Sequence, residues 1–312
     1  MYNFVYCFDK KYTYQGLLSI FSLLEQIKNR EEIAIHIIHE DKIFLEKKLK
    51  KLSVFNNLKI TIYSFNIPNL KFPNLEGTHV SLATYYRLFL KDYINPNIEN
   101  IIYVDADIYF LKSPLSDINK AINDLESSEF CLAAYPHEYS EETNKRLKLK
   151  NKKYFNAGFL IINFKKFINT YSNIFVTKMQ ENYENIIYWD QDVLNIAFDG
   201  NFLELDQNLN YHIKPNESVE RVNSEVVCLH YMGNIKPWTL NGLDYEFSKY
   251  YQSLYSKLTN KKYHIQFEDR SIKSKVSDTF YKLDFLNRKY PINYLFQLIK
   301  ILIIKVLKIQ IK

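Results

Sequence analysis

The sequence IIYVDADIYF, residues 101–110, places two aspartates inside a run of large apolar and aromatic side chains. The run predicts a buried β-strand, in which Asp is a disfavoured residue. Side chains alternate along a strand, so Asp105 and Asp107 would point to the same side of it. Two carboxylates that converge there repel each other unless a positive charge joins them, and a divalent cation would do so. An acidic turn at the end of a strand is the alternative interpretation.

Outward from this run, short apolar segments alternate with amphipathic ones. This pattern predicts an α/β fold with a mostly parallel sheet and helices on both faces. The predicted strands are residues 3–8, 33–39, 58–65, 101–110, 157–164 and 224–231, and the predicted helices are 13–28, 41–52, 81–93, 165–185 and 190–199. Open sheets of this kind bind ligands at the carboxyl ends of their strands. No repeat or low-complexity linker interrupts the chain, so we predict a main domain, 1–255, and a C-terminal helical region, 256–312.

The segment SEVVCLHYMGNIKPW, residues 224–238, supplies a third candidate metal ligand. His230 ends an apolar strand, and Gly233 and Lys236 follow it, although a single His is more often structural. Two carboxylates and one imidazole favour Mn²⁺, with Mg²⁺ as the second choice because it prefers oxygen ligands. The chain has only six glycines, the closest two nine residues apart, which excludes a Gly-rich phosphate loop. A metal and Lys236 would instead neutralise the phosphates of a nucleotide.

The charge of the chain is concentrated near its last residues. Lys and Arg total 41 against 35 Asp and Glu, and residues 285–312 hold six basic residues and no acid, so residues 1–284 are neutral. A nucleic-acid-binding protein would carry a positive face instead. We therefore expect no nucleic-acid partner.

Residues 290–312, YPINYLFQLIKILIIKVLKIQIK, combine apolar side chains with four lysines. A lysine at the centre of a membrane-spanning helix costs about 2.5–3.5 kcal/mol, which disfavours a span. The pattern predicts a basic amphipathic helix that lies on an anionic membrane surface. A helix that packs on the main domain or in a dimer is the alternative.

Three cysteines lie far apart in apolar runs and lack the spacing of a metal or redox site, which indicates buried thiols in a reducing compartment. The first residues, MYNFVYCFDKKY, have no basic stretch ahead of a long apolar region and so do not predict a signal peptide. Together with the basic tail, these features predict a cytoplasmic protein that is peripheral on the inner face of the cell membrane.

Six motifs, in order along the chain, resemble those of the retaining glycosyltransferases of family 8, which include bacterial lipooligosaccharide galactosyl- and glucosyltransferases and glycogenin. The motifs are VYCFDKKY (5–12), SLATYYRLFL (81–90), IIYVDADIYF (101–110), YFNAGFLIINFKKF (154–167), YWDQDVLNIAF (188–198) and LHYMGNIKPW (229–238). The likeness spans about residues 2–255. It implies a glycosyltransferase A-type fold, in which a single Rossmann-like mixed sheet is flanked by helices. It also implies Mn²⁺-dependent transfer of galactose or glucose from a UDP-sugar. The implied acceptor is a glycan or glycolipid, such as lipopolysaccharide, lipooligosaccharide or another cell-surface glycan.

The resemblance also implies roles for individual residues. Asp105, Asp107 and His230 match the metal ligands. Asp190 and Gln191 match the pair beneath the anomeric carbon of the donor sugar. The other matches are donor contacts: Cys7 and Asp9 at the uracil, Arg87 near the sugar, Ala106 in the metal motif, Asn156, Ala157 and Gly158 along the sugar, and Gly233 and Lys236 at the diphosphate.

These positions also have simpler structural interpretations. Asp9 would begin a turn, Arg87 would form a surface ion pair, and Asp190 would cap a helix. Two features depart from the family pattern: Lys11 stands where a small polar residue is more usual, and the region after Cys131, LAAYPHEYS, lacks an Asp that some relatives have near the acceptor. The identity of the acceptor therefore stays open.

The sequence leaves the mechanism and two other protein classes open. A double displacement needs a carboxylate nucleophile on the far face of the sugar. Gln191 is an amide, so our hypothesis is a same-face mechanism in which the leaving phosphate accepts the acceptor's proton. A nucleotidyltransferase also uses paired aspartates and a metal, but would be expected to have a Gly-rich loop near the N-terminus. Nothing in the sequence excludes a non-catalytic sugar-nucleotide-binding protein.

Overall fold

The computed structural model describes residues 1–266, except 67–68, 76–79, 138–139, 172–173, 220–221 and 223, together with residues 280, 283–284, 287–288, 291–292, 294–296 and 299. The strands are β1 (Tyr2–Cys7), β2 (Ile33–His39), β3 (Lys59–Ser64), β4 (Asn100–Val104), β5 (Ile108–Phe110), β6 (Leu132–Pro136), β7 (Phe155–Asn163), β8 (Leu203–Glu204), β9 (Tyr211–His212) and β10 (Cys228–His230). The α-helices are α1 (Thr13–Gln26), α2 (Lys42–Leu49), α3 (Leu90–Tyr93), α4 (Leu115–Glu126), α5 (Glu141–Leu147), α6 (Phe164–Thr170), α7 (Ile174–Glu181), α8 (Trp189–Phe198) and α9 (Ser248–Thr259).

Seven strands of the described chain form one mixed sheet, in the order β3-β2-β1-β4-β7-β6-β8. The strands β3, β2, β1 and β4 are parallel, whereas β7 is antiparallel to both β4 and β6. Phe4 of β1 lies opposite Ile35 on one side and Ile102 on the other, so β1 is a central strand. This main sheet confirms the predicted mixed sheet and places the carboxyl ends of β1 and β4 side by side.

The central strands are apolar on both faces because each face of the sheet is covered. Phe4 and Tyr6 belong to one hydrophobic cluster, which includes α1 and α4, and Val5 and Cys7 belong to a second cluster with residues of α6, α7 and α8. Strands buried on both faces have continuous apolar sequences, which explains the runs seen in the sequence. The three cysteines are free and buried, as predicted.

The run at 101–110 is two strands, and the prediction of one strand was wrong. β4 ends at Val104 in the main sheet, and β5 begins at Ile108 in a small sheet with the order β5-β10-β9. Ile108 pairs with His230 of β10, so the chain must turn out of the main sheet before it. The two aspartates lie in that turn, and their convergence comes from the turn and not from strand alternation.

Other boundaries differ from the predictions. Residues 82–89 form a 3₁₀ helix that continues into α3, and the long predicted helix at 165–185 is divided into α6, α7 and a 3₁₀ turn at 183–185. Of the predicted strand at 224–231, only β10 (Cys228–His230) forms a strand. Helix α9 continues to Thr259 and so crosses the predicted domain boundary at 255. Most of the predicted tail lies outside the described residues, and the part that is described holds no helix long and apolar enough to cross a membrane.

Candidate active site

A cavity of about 670 Å³ opens at the carboxyl ends of β1 and β4. It is lined by the β4–β5 turn, the start of β7, the start of α8 and the loop after β10. Of the 14 residues that the sequence assigns to the site, 12 line this cavity, and Asp9 and Gly158 lie outside the lining. The fold therefore brings together residues that are far apart in the chain.

The backbone of the β4–β5 turn is fixed on both sides. The Asp105 amide donates to the Gly158 carbonyl at 2.8 Å, and the Asp107 carbonyl accepts from the Tyr231 amide at 3.1 Å. These bonds join the main sheet to the small sheet through the turn. One ligand atom from each of Asp105, Asp107 and His230 lies within 4.8 Å of the others. This spacing fits a single divalent cation bound by two carboxylates and an imidazole.

The His230 ring is oriented by buried amides. Its Nδ1 lies 2.8 Å from Asn210 Oδ1, and Asn210 Nδ2 in turn donates to Asn156 Oδ1 at 2.8 Å. Because the Asn210 oxygen faces the ring, Nδ1 carries a proton, and in the neutral form of the imidazole Nε2 keeps its lone pair for a metal. Nε2 lies 3.3 Å from Asp107 Oδ1. Gly158 leaves room for this ring, since a Cβ atom there would lie 2.3 Å from His230 Cε1.

Lys236 lies against the second aspartate. Its Nζ is 2.6 Å from Asp107 Oδ2 and also donates to the Tyr231 carbonyl. Burial alone would raise the pKa of Asp107, but Lys236 and His230 outweigh it and hold that pKa well below its usual range. An ammonium has three protons, so one donor of Lys236 is left for an anion in the cavity. We call Lys236, Asp107 and His230 the lysine side of the site.

Arg87 lies against the first aspartate and is buried, which contradicts the alternative of a surface ion pair. Its Nη2 is 2.7 Å from Asp105 Oδ1, its Nε is 2.6 Å from Asp190 Oδ2, and its Nη1 donates to the Ala157 carbonyl. Burial raises the pKa of Asp105 and raises that of Asp190 to about 6, with Arg87 opposing both shifts. We call Arg87, Asp105 and Asp190 the arginine side.

The charges of the two sides do not balance. Two cationic side chains face three carboxylates, so the cluster carries a net charge of −1 when His230 is neutral. The raised pKa values lie on the arginine side, where one guanidinium serves two carboxylates. A divalent cation held by Asp105, Asp107 and His230 would supply the missing charge, so the residues present fit a metal.

Asp190 and Gln191 lie in the first turn of α8. Tyr188 is the residue before the helix, so the alternative that Asp190 caps α8 was wrong. Trp189 has a φ of 46°, a left-handed value that is uncommon for an aromatic residue. Gln191 Oε1 accepts from Asn156 Nδ2 at 3.1 Å and from the Ala157 amide at 3.0 Å. Asp190 and Gln191 together therefore contact both Arg87 and the start of β7.

The nucleobase end of the predicted site is less complete. Cys7 lines the cavity, but the Asp9 carboxylate accepts from the Tyr12 amide at 2.9 Å, the contact of a turn. Lys11 is exposed. Tyr12, which lines the cavity, was not predicted as a site residue. An aromatic residue beside an Asp turn at the end of a predicted strand was the available signal.

Other contributors were missed because their roles depend on distant partners. Asn210 is fully buried behind His230, and nothing near it in sequence suggested a function. Asp192 was visible in the motif WDQD but was not assigned a role. His137, Ser140 and Thr143 also line the cavity and lie within or beside the LAAYPHEYS region that departs from the family pattern.

The chain is similar to glycosyltransferases of known structure and sequence. LgtC, a galactosyltransferase crystallised with donor and acceptor sugar analogues, superposes with a TM-score of 0.66 at 22% identity, over 82% of this chain and 96% of that protein. This match confirms the glycosyltransferase A-type fold. A lipopolysaccharide 1,3-galactosyltransferase of Salmonella typhimurium is 30% identical over 80% of this chain and 76% of its own.

Two further matches agree with this one. A lipopolysaccharide 1,2-glucosyltransferase of Escherichia coli is 28% identical over 82% of this chain and 78% of its own length. The family profile of glycosyl transferase family 8 matches residues 3–242, which contain all 14 predicted site residues. The chain therefore belongs to glycosyl transferase family 8.

Proposed function

We propose that the protein transfers galactose or glucose from a UDP-sugar to a glycan acceptor, with retention of configuration at the anomeric carbon. The observation that carries the proposal is the convergence of Asp105, Asp107 and His230 on one wall of the cavity, with Lys236 beside them. The other ten assigned residues, including Asp9 and Gly158 outside the lining, are proposed donor or catalytic residues with the roles that the family resemblance implies.

Departure of UDP is the step for which this wall is suited. Asp105, Asp107 and His230 would hold Mn²⁺ or, less well, Mg²⁺, which stabilises negative charge on the diphosphate when bound. The third N–H of the Lys236 ammonium would donate a hydrogen bond to a phosphate oxygen. Gly233, whose φ is 77°, lets the backbone of the loop approach the diphosphate. Charge fixed in place before the reaction is commonly the largest catalytic contribution in such sites.

The proposed mechanism is same-face transfer, in which the leaving phosphate accepts the proton of the attacking hydroxyl. Asp190 contacts Arg87 and accepts from the Thr84 hydroxyl, so its carboxylate is occupied. Gln191 is neutral and is a poor nucleophile. Neither residue is placed as a free carboxylate below the sugar, as a double displacement requires. Mass spectrometry of enzyme quenched during turnover tests this, because a sugar covalently attached to Asp190 would contradict the mechanism.

The relatives suggest the acceptor class. Their names point to lipopolysaccharide glycans, and we propose an acceptor of this kind or another cell-surface glycan. The acceptor would enter the cavity past Tyr188, a lining residue whose side chain is half exposed.

A donor screen tests the proposed function. Purified protein with Mn²⁺ is incubated with UDP-galactose or UDP-glucose, and UDP release and the anomer of the released sugar are followed by NMR. We expect slow hydrolysis of one donor, with the α-anomer formed first. Binding of both donors without turnover would favour the sugar-nucleotide-binding protein instead. Release of pyrophosphate from UTP and a sugar phosphate would favour the nucleotidyltransferase.

We also propose that residues 256–312 form a region that holds the enzyme on the inner face of the cell membrane. The described residues Ile292, Leu295, Phe296 and Ile299 are helical, follow the spacing of one helix face, and are 45–74% exposed. The lysines at 300, 305, 308 and 312 lie outside the described residues.

Co-sedimentation with vesicles tests the membrane proposal. We expect binding to phosphatidylglycerol vesicles that weakens with salt, weak binding to phosphatidylcholine vesicles, and loss of binding when residues 290–312 are deleted. Equal binding by the truncated protein would disprove a role for the tail.

A further inference from the structure

The carboxylate of Asp192, in the first turn of α8, is saturated with hydrogen bonds and fully buried. It accepts from Arg146 Nη1 at 2.6 Å and Nη2 at 3.3 Å, and from the Tyr154 hydroxyl at 2.7 Å. The amides of Ile187 and Tyr188 each donate to it at 2.8 Å. It is not part of the cavity lining, so it acts on the site through its partners.

The direction of these bonds is determined by chemistry. A carboxylate that pairs with a guanidinium accepts hydrogen bonds and has none to donate, so the Tyr154 hydroxyl donates its hydrogen bond to Asp192. The hydroxyl lone pair then accepts from Gln191 Nε2 at 3.0 Å. This fixes which end of the Gln191 amide faces Tyr154. The Gln191 oxygen consequently faces β7, where Asn156 and Ala157 donate to it.

Counting donors and acceptors shows what Gln191 has left for a ligand. Its oxygen has two acceptor positions, and both are occupied. Its amide nitrogen has two protons, and one goes to Tyr154. One N–H remains, so Gln191 presents a hydrogen-bond donor to the cavity and no free lone pair.

We propose that Arg146, Asp192 and Tyr154 are positioning residues that hold Gln191 as a hydrogen-bond donor toward the reacting sugars. Arg146 pairs with Asp192, Asp192 orients the Tyr154 hydroxyl, and Tyr154 orients the amide. Arg146 lies on α5 and also donates to the Asn185 carbonyl at 2.6 Å, so the same guanidinium joins α5, whose Thr143 lines the cavity, to α8 and to the turn before it. The inference rests on the proposed glycosyl transfer and specifies how Gln191 takes part in it.

The test uses Tyr154→Phe, which removes only the hydroxyl between Asp192 and Gln191. We expect kcat for UDP-sugar hydrolysis to fall by about 10–100-fold with the donor KM within about twofold, because a misoriented amide affects the reacting geometry more than donor binding. Arg146→Met should lower kcat to a similar degree, and Arg146→Lys should restore part of it. The double variant should be no slower than the worse single variant, since both act through one carboxylate.

A matched control is Tyr171→Phe, which removes a buried hydroxyl that accepts from Asn201 at 2.8 Å, away from the cavity lining. It should leave kcat unchanged. A lower melting temperature for Tyr154→Phe with wild-type kcat, or additive effects in the double variant, would overturn the inference. An inactive wild-type protein in the donor screen would instead overturn the proposed function.

Discussion

The arginine side and the lysine side of the candidate site contain Asp105 and Asp107, which are two residues apart in the sequence. The two sides differ in how their charged side chains are paired. On the arginine side, a rigid guanidinium lies between Asp105 and Asp190 and is held by the main sheet and the 82–89 helix. On the lysine side, a single ammonium serves Asp107 alone, next to His230 of the small sheet. One cation is therefore shared between two carboxylates on the first side, and one carboxylate has a cation of its own on the second.

This difference determines where charge is missing. The pKa of Asp107 is held below its usual range, whereas the pKa values of Asp105 and Asp190 are raised by burial that Arg87 only partly offsets. A bound cation would thus be stabilised most by the arginine side, although its imidazole ligand comes from the lysine side. The proposed metal position is where the two sides meet, so both sides should be needed for metal binding.

The largest expected effect tests this shared requirement. We expect Asp105→Asn and Asp107→Asn each to lower Mn²⁺-dependent turnover by about 10³-fold or more while the circular dichroism spectrum stays native, because each removes a metal ligand. Asp105→Ala and Asp107→Ala should do the same. UDP release measured across a Mn²⁺ titration is the readout.

Asp124→Asn, an exposed change on α4, is the matched control and should behave like wild type. If either turn variant kept near-normal turnover, that aspartate would not be a metal ligand, and the proposed centre would be incorrect.

The comparison also explains what the sequence could and could not predict. Asp105, Asp107 and His230 were identifiable from local anomalies, namely an Asp in an apolar strand pattern and a His at a strand end, whereas Arg87 and Asp190 were indicated only by the family resemblance. The break between β4 and β5 could not be identified from the sequence, because the chain turns out of the main sheet there in order to pair β5 with β10, more than 100 residues later. Likewise, nothing near Arg87 in the sequence indicates that Asp190 shares it.

The second prediction compares the contributions of Arg87 and Lys236 to the free energy of unfolding. Removing one partner of a buried ion pair costs about 3–5 kcal/mol, because it leaves a charge unpaired. Arg87→Met would leave two carboxylates without a cation, so we expect the free energy of unfolding by urea to fall by about 3–5 kcal/mol. Lys236→Met would leave only the Asp107 carboxylate without its cation, and that carboxylate still has His230 at 3.3 Å. We therefore expect Lys236→Met to lower the free energy of unfolding by roughly half as much. Equal losses, or a larger loss for Lys236→Met, would contradict the difference drawn between the sides.

The third prediction separates His230 from the rest of the lysine side. A Cβ at residue 158 would lie 2.7 Å from His230 Nδ1, so Gly158→Ala must displace the ring from Asn210. We expect Mn²⁺ affinity, measured by calorimetry, to fall by about 10–100-fold, as for other losses of ligand orientation. At Gly233 a Cβ would meet nothing within 4 Å, but φ is 77°, so Gly233→Ala should lower stability by about 1–2 kcal/mol and leave Mn²⁺ affinity nearly unchanged.

The positioning bonds of the site were beyond sequence analysis for a related reason. Tyr154 and Asp192 lie in two recognised motifs, yet their contact becomes meaningful only through Arg146, which belongs to neither. Hydrogen-bond direction needs three-dimensional partners, whereas hydrophobic pattern and strand order are visible in one dimension. The fold was therefore more predictable than the orientation of its polar groups.

The smallest expected effect concerns pH. The raised pKa of Asp190, about 6 against 3.8, means that the folded protein binds its proton more tightly than the unfolded chain does. Stability conferred by the protonated form is therefore lost as pH rises toward and through 6. From pH 5 to 7, we expect wild type to lose about 1 kcal/mol in free energy of unfolding relative to Asp190→Asn, measured by urea denaturation at both pH values.

Asp107 provides the control. Its pKa is lowered in the folded protein, so its carboxylate is ionised in both the folded and the unfolded state above pH 5. The difference in free energy of unfolding between wild type and Asp107→Asn should therefore not change between pH 5 and 7. Equal slopes for the two comparisons would mean that the arginine side is not short of positive charge.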